Sequence, residues 1–547
     1  MPLTFRFPFI FIVSFYFFSF YNPVYSQPDN TFSRIDSLRG YLNSNRSCYD
    51  IIYYDLEVSI DTRIESISGS NEITLKALRD FNRIQLDLFE NMIVDSIIYN
   101  MHPISYTRDG NAIIIDFNNS VVFNQEVILK VFYHGHPVVS QNPPWSGGFV
   151  WARDSLNRTW IGVECQGTGA SLWWPNKDHL SDEPDSMQIS IIAPEPLIAV
   201  SNGKLIENYN LPGNLKKWIW KVTYPINNYG VTINLGYYSH FNEKYLSNNS
   251  EYMLDYYVLD YNLDKAKSHF KQVRRMLESY EYYFGPYPFE RDGYKLVEAP
   301  YWGMEHQSCI AYGNEYQNEE YYLFDYIIIH ESGHEWWGNS VSTKDNGELW
   351  IHEAFTTYME SLFIEYDYGY NIAINYLEDQ KAYIENMYPI SGPLSVNFND
   401  WDDSDMYYKG SWMLHSIRNT IGDDEEWFST IKKTYQHFKY QTISGNELIN
   451  FMNSQVDYDI EPIFRNFLTN RNIPELKVKM KKNKHGIKLT YRWKNVNNDF
   501  NMPTKVRVDK SDWVAIFPGI KNKSILLKYK DKKEVEFATD LFYHAVN

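Results

Sequence analysis

Between residues 48 and 241 apolar and polar side chains alternate in short runs, among them 51–60, 112–117, 126–132 and 231–238, separated by turn pairs such as Asp109-Gly110 and Asn202-Gly203. Successive side chains of a strand face opposite ways, so this period of two predicts an all-β N-terminal domain over 45–250. Near Asp260 the period changes. Ala266, Phe270, Val273, Leu277 and Tyr280 recur at three- and four-residue spacing until Gly285-Pro286 stops the run, which predicts an amphipathic helix. Helical patterns dominate from there to about Asn472, including 319–337, 348–366 and 447–453, and predict a mainly helical domain over 251–474. After Pro474 the alternation returns, with Lys477, Lys479 and Lys481 interleaving Val478 and Met480 and a second such run at 524–529. A small C-terminal β-sandwich over 475–547 is expected, which makes the whole a multidomain α+β protein.

Composition narrows the function classes. With 46 Tyr, 32 Phe and 16 Trp among 547 residues, the chain can fill large cores, and a disordered or fibrous protein is excluded. Cys48, Cys165 and Cys309 are too few for a disulfide scaffold, and none has the C-x-x-C spacing of a thiolate metal site. The 51 Lys+Arg against 69 Asp+Glu give a formal charge of -18, which repels a phosphate backbone and argues against a nucleic-acid partner. Residues 476–547 run the other way, with 17 Lys+Arg and 7 Asp+Glu, and their alternating lysines read as the solvated face of strands.

At the N-terminus Arg6 precedes an apolar run over 7–21, Asn22-Pro23 breaks it, and Val24 and Ser26 supply small residues at the -3 and -1 positions of a cleavage site. This predicts a signal peptide over 1–26 and an exported protein. The run is shorter than the roughly 20 residues a spanning helix needs, so no membrane span is expected once the leader is removed.

The chemistry concentrates in His330-Glu331-Ser332-Gly333-His334. On a helix, histidines four apart share a face and can converge on one metal. Imidazole pairs of this kind suit Zn²⁺, which in catalytic sites takes three protein ligands and leaves a fourth position for water. The third ligand has to come from elsewhere. Glu353, at the start of a second helical pattern and separated from His334 by 18 intervening residues, is a candidate. His352 competes in principle, but neighbours on a helix point about 100° apart, so only one of the two can face the metal.

Taken together, His330-Glu331-x-x-His334, the following Trp336, Gly338 and Asn339, and the distant Glu353 resemble the aminopeptidase N family of zinc metallopeptidases, the gluzincin aminopeptidases. The resemblance covers about residues 45–547 and implies a thermolysin-like catalytic domain holding one Zn²⁺ through His330, His334 and Glu353, with Glu331 as base. Trp302-Gly303-Met304-Glu305-His306 is similar to the family's Gly-x-Met-Glu-Asn strand, with Trp in place of the first Gly and His in place of the Asn. It implies that Glu305 grips the substrate's free α-amine while Gly303 and Met304 contact the peptide backbone. Tyr407-Tyr408-Lys409-Gly410 resembles the family's Tyr-x-Lys-Gly and implies that Tyr407 donates a hydrogen bond to the tetrahedral intermediate. Glu164-Cys165-Gln166-Gly167 resembles the segment that brings a polar residue, here Gln166, near the amine. The long helical domain that often follows in the family has no counterpart in the sequence, which implies a more open cleft.

The expected function is an exported zinc aminopeptidase acting on peptides with a free N-terminus. Two other readings stand beside it. A thermolysin-like endopeptidase would share the zinc ligands but lack the amine clamp and Tyr-x-Lys-Gly, and a non-catalytic peptide-binding protein has no need of Glu331. The preferred N-terminal residue, the natural peptide and the oligomeric state are not legible.

Overall fold

A computed structural model describes residues 32–547 apart from 248–249, 400–402, 484–485 and 529–533. The leader reading at 1–26 lies outside these residues. Among those described, no helix is long and apolar enough to cross a membrane.

The N-terminal region is all β, as its alternation predicts. Strand Tyr49–Asp61 lies at the centre of an eight-stranded sheet, antiparallel to Ser66–Ala77 and parallel to Ser186–Pro194. A three-stranded sheet built on Phe81–Asp87 and a four-stranded sheet containing Gly148–Arg153 and Thr159–Glu164 complete it. The turn pairs sit where expected. Asp109-Gly110 joins Tyr106–Asp109 to Ala112–Val121, and Asn202-Gly203 joins Ile198–Ser201 to Lys204–Leu211. A side chain at Gly203 (φ 73°) would meet the backbone of Lys221 at 2.2 Å, so only glycine fits that turn.

A five-stranded sheet of Tyr238–Leu246, Glu251–Leu259, Tyr294–Glu298, Ile310–Tyr312 and Gly303–Met304 connects the two halves of the molecule. Its side chains divide by parity. Leu254, Tyr256, Val258, Leu296, Ile310 and Tyr312 enter the core of the helical region, whereas Tyr257, Leu259, Val297, Ala311 and Met304 enter the core of the N-terminal β region. Both faces are therefore buried, and Gly303–Met304 forms one edge of the sheet, antiparallel to Ala311 and Tyr312. That edge looks onto the space between the two regions.

The helices differ from their sequence reading in two places, besides the sheet strands interspersed among them. The stripe Ala266, Phe270, Val273, Leu277 and Tyr280 is buried as one set, but it is carried by two helices, Leu263–His269 and Gln272–Phe284, that break at Phe270-Lys271. The metal-motif helix is Tyr326–Gly333, shorter than the periodic stretch 319–337. Asp325 sets its start by accepting from the N–H groups of Ile327 and Ile328, and Leu323 just before it has a positive φ that no helix continues through. Helix Trp350–Tyr368 packs against it and against Asp405–Ile421. Past Pro474, strands Glu475–Asn483 and Gly486–Lys494 pair in a four-stranded sheet, Thr504–Val508 belongs to a three-stranded one, and Leu476, Leu489, Trp493 and Val506 join the core of the helical region.

Candidate active site

The cleft between the N-terminal and helical regions, about 410 Å³, is lined by every residue to which the sequence gives a role in the site: Gln166, Gly303, Met304, Glu305, His330, Glu331, His334, Glu353 and Tyr407. They come from separate elements of both regions.

His330 and His334, one turn apart, aim their Nε2 atoms at each other across 3.2 Å. Glu353, in the first turn of Trp350–Tyr368, places Oε2 3.6 Å from His330 Nε2 and 3.4 Å from His334 Nε2. A tetrahedral ion with ligands at roughly 2.0–2.1 Å holds them roughly 3.3 Å apart, so these three edges are those of a metal's coordination sphere. The hydrogen bonding behind the ligands agrees. His330 Nδ1 meets Glu360 Oε1 at 2.6 Å and His334 Nδ1 meets the Trp337 carbonyl at 2.9 Å, so both Nδ1 atoms donate and both Nε2 lone pairs face the gap. Glu353 Oε2 is buried and accepts no hydrogen bond from the described residues. Two lone pairs and an orphaned carboxylate oxygen turned on one point call for a cation. Burial pulls the imidazole of His334 down, but the carboxylates of Glu353 and Glu305 together lift it to about 9, so the negative charge that favours a proton here would equally favour a cation. Burial raises Glu353, but the two imidazoles take it well below the carboxylate range. His352, the competing ligand, is turned away and accepts the Thr343 N–H through Nε2 at 3.0 Å.

Glu331 lies beside this group. Its carboxylate, that of Glu305 and a ring nitrogen of His334 fall within 4.8 Å of one another. Burial pushes Glu331 up to about 7, against the pull of His330. Gly303 makes room for it, since a Cβ there would sit 2.7 Å from Glu331 Oε1. Glu305, almost fully buried, accepts from Gln166 Nε2 at 2.6 Å, and the same amide reaches Glu353 Oε1 at 3.3 Å. Gln166 stands in the turn after strand Thr159–Glu164, where Gly167 has φ 68° and Arg39 Nη1 donates to the Gly167 carbonyl. Asn339 donates to the Glu305 carbonyl at 2.8 Å and so ties the edge strand to the metal-motif segment.

Tyr407 opens the helix Asp405–Ile421, with its ring centroid 6.0 Å from that of His330, whereas Tyr408 packs on Tyr383. Burial first, then Glu353, keeps the Tyr407 phenol well above its usual range and hence a donor. The Lys-Gly that follows is structural. Lys409 Nζ donates to the carbonyls of Asn470 and Arg471, and Gly410 lies against Ala354, where a Cβ would come within 2.5 Å of the alanine Cβ. That contact sets the distance between the helix carrying Tyr407 and the helix carrying Glu353.

Two family profiles match the chain: Peptidase M1 N-terminal domain over 51–229 and Peptidase family M1 domain over 268–467. The chain belongs to peptidase family M1. As an M1 member it is similar to aminopeptidase N of Lactobacillus helveticus, 26% identical over 43% of this chain and 29% of that protein. It is also similar to tricorn protease-interacting factor F2 of Thermoplasma acidophilum, 21% identical over 78% of this chain and 54% of that one. This M1 chain thus spans from under a third to about half the length of these relatives. Its fold is that of the M1 zinc metallopeptidase of Deinococcus radiodurans, with a TM-score of 0.67 at 19% identity, covering 78% of this chain and 94% of that one. Zn²⁺ is the metal of this family, and the three ligand edges fit it.

Glu360 is the site residue that the sequence reading missed. Besides His330 it accepts from Tyr376 Oη at 2.6 Å and Gln380 Nε2 at 3.2 Å. The available signal was its spacing, seven residues beyond Glu353 and therefore on the same face two turns on.

Proposed function

We propose that the protein is an exported zinc aminopeptidase that releases the N-terminal residue of peptides. The observation that carries this reading is the Glu305–Gln166 pair set against the open side of the ligand trio, a carboxylate and an amide held 2.6 Å apart where a substrate ammonium would end the chain. Export rests on the leader pattern at 1–26.

His330, His334 and Glu353 would hold the zinc. When bound it supplies a Lewis-acid charge to the scissile carbonyl and lowers the pKa of water at the site. Glu305 and Gln166 take the ammonium, which fixes the first carbonyl over the ligand trio and makes the cut an exopeptidase cut. Glu331 accepts the water's proton and later delivers it to the leaving amine. Tyr407 donates to the oxygen that gains negative charge, an interaction stronger in the transition state than in the bound peptide.

One comparison tests the reading: hydrolysis of a single peptide with free and with acetylated N-terminus, each with and without a chelator. Loss of cleavage on acetylation and on chelation is expected. Equal cleavage of the acetylated peptide at an internal bond would establish an endopeptidase, and no cleavage of either in zinc-replete protein would leave a peptide binder.

A further inference from the structure

The edge strand gives the cleft a direction. Glu305 sits at the amine end beside Gln166, and Gly303, two residues earlier, lies against Glu331. Moving from Glu305 to Gly303 therefore leads from the amine clamp to the proposed base, in the direction of the leaving peptide. Trp302 comes next, on the leaving side of the bond to be cut.

Trp302 is where the sequence departs from the family's glycine, and the structure gives the indole definite surroundings. Its ring stacks on Tyr326 at 5.6 Å and 23°, and Tyr326 in turn stacks on His330 at 5.2 Å and 21°. Its Nε1 donates to Asn314 at 3.2 Å, which fixes the ring orientation. Opposite stands Trp145, contributed by the N-terminal region, with its centroid 6.1 Å away and a tilt of 40°. Both line the cleft, and both leave much of the ring in solvent, 43% for Trp302 and 66% for Trp145. Two large exposed rings from distant segments, side by side at the mouth of a cleft, form an apolar patch of the kind that marks a binding surface.

We propose that Trp145 and Trp302 form a subsite for an apolar, preferably aromatic, side chain of the leaving peptide. The inference rests on the aminopeptidase reading for its polarity. The rings offer faces and edges to a third ring. The enzyme thereby selects by the second and third residues of the peptide as well as by the residue it releases. Peptides of three or more residues gain a contact that a lone amino-acid amide cannot make.

The test keeps the N-terminal residue constant and compares tripeptides whose last two residues are Gly-Gly, Phe-Gly or Gly-Phe. Wild type should favour at least one Phe peptide over the Gly-Gly peptide by about tenfold in kcat/KM, the size expected for burying one aromatic side chain. Trp145→Ala should reduce that ratio to about two or less with zinc content unchanged, and Trp145→Phe should keep most of it. A wild-type ratio near one, or a ratio that survives in Trp145→Ala, overturns the subsite. The same peptides titrated into zinc-loaded Glu331→Gln protein, followed by tryptophan fluorescence, read the subsite without turnover. There, tighter binding of the Phe peptides that Trp145→Ala abolishes supports it even if the catalytic reading fails, and equal binding of all three overturns it.

Discussion

His330 Nδ1 lies 2.6 Å from Glu360 Oε1, and both side chains are buried. The carboxylate fixes the ring's tautomer and heading, so Nε2 meets the metal without a search over rotamers. Tyr376 and Gln380 hold the other carboxylate oxygen, which makes the support rigid in turn.

Glu360→Ala should therefore weaken zinc binding about 10- to 100-fold, the usual effect of losing such a partner, while Glu360→Gln retains more because its amide oxygen still accepts from Nδ1. Zinc affinity measured by competition with a graded chelator checks this. Equal affinity in all three proteins would show that Glu360 serves packing alone.

Removal of a ligand should act more severely. Glu353→Ala leaves the two imidazoles without their carboxylate and should lose stoichiometric zinc, whereas Glu331→Gln should keep it. The Gln variant should nevertheless lose nearly all turnover, because a carboxamide cannot accept the proton of the attacking water. Metal analysis alongside peptide hydrolysis separates the two. A zinc-replete Glu331→Gln protein of normal activity would refute the assignment of the base.

Gly410 tests whether the distance between two helices sets the site. In a helix interior alanine is favoured over glycine by about 1 kcal/mol, but the added methyl would lie 2.5 Å from the Ala354 Cβ, and overpacking costs about 1–3 kcal/mol. The clash should win. Gly410→Ala is expected to lower the thermal midpoint and turnover together, and Ala354→Gly in the same chain to restore part of both. An unaltered Gly410→Ala protein would mean that the helices can separate without cost to Tyr407.

How far the sequence reading reaches depends on what each pattern reports. Alternation finds the N-terminal sheets because their strands bury one side chain in two, as in Tyr49–Asp61. Tyr294–Glu298, buried at all five positions, shows no alternation, so the five-stranded sheet to which it belongs is hidden in a region expected to be mainly helical. The motif residues are legible because their spacing on one helix already implies convergence. Glu360 is not, since its spacing from Glu353 puts it on the same helix face two turns on but does not say which side chain it supports. The Trp302 departure is visible in the sequence, but its meaning requires Trp145, which only the fold brings to its side.

The amine clamp decides between exopeptidase and endopeptidase. Glu305 is buried, accepts from Gln166, and lies within 4.8 Å of Glu331 and His334, so an ammonium bound there would make a charge-assisted hydrogen bond largely shielded from water. Such a bond contributes about 1.5–3 kcal/mol, and its loss also loosens the register of the carbonyl over the ligand trio. Glu305→Ala should cut kcat/KM for unblocked peptides by at least about tenfold, at about 1.4 kcal/mol per decade, with zinc content unchanged because Glu305 is not among the ligands. Wild type should barely cleave the acetylated peptide, since a neutral acetamide cannot use the clamp and adds bulk where the chain should begin. If wild type cuts acetylated and free peptides equally well and Glu305→Ala is no worse on either, then the carboxylate has no part in binding the amine, and an endopeptidase register replaces the one proposed.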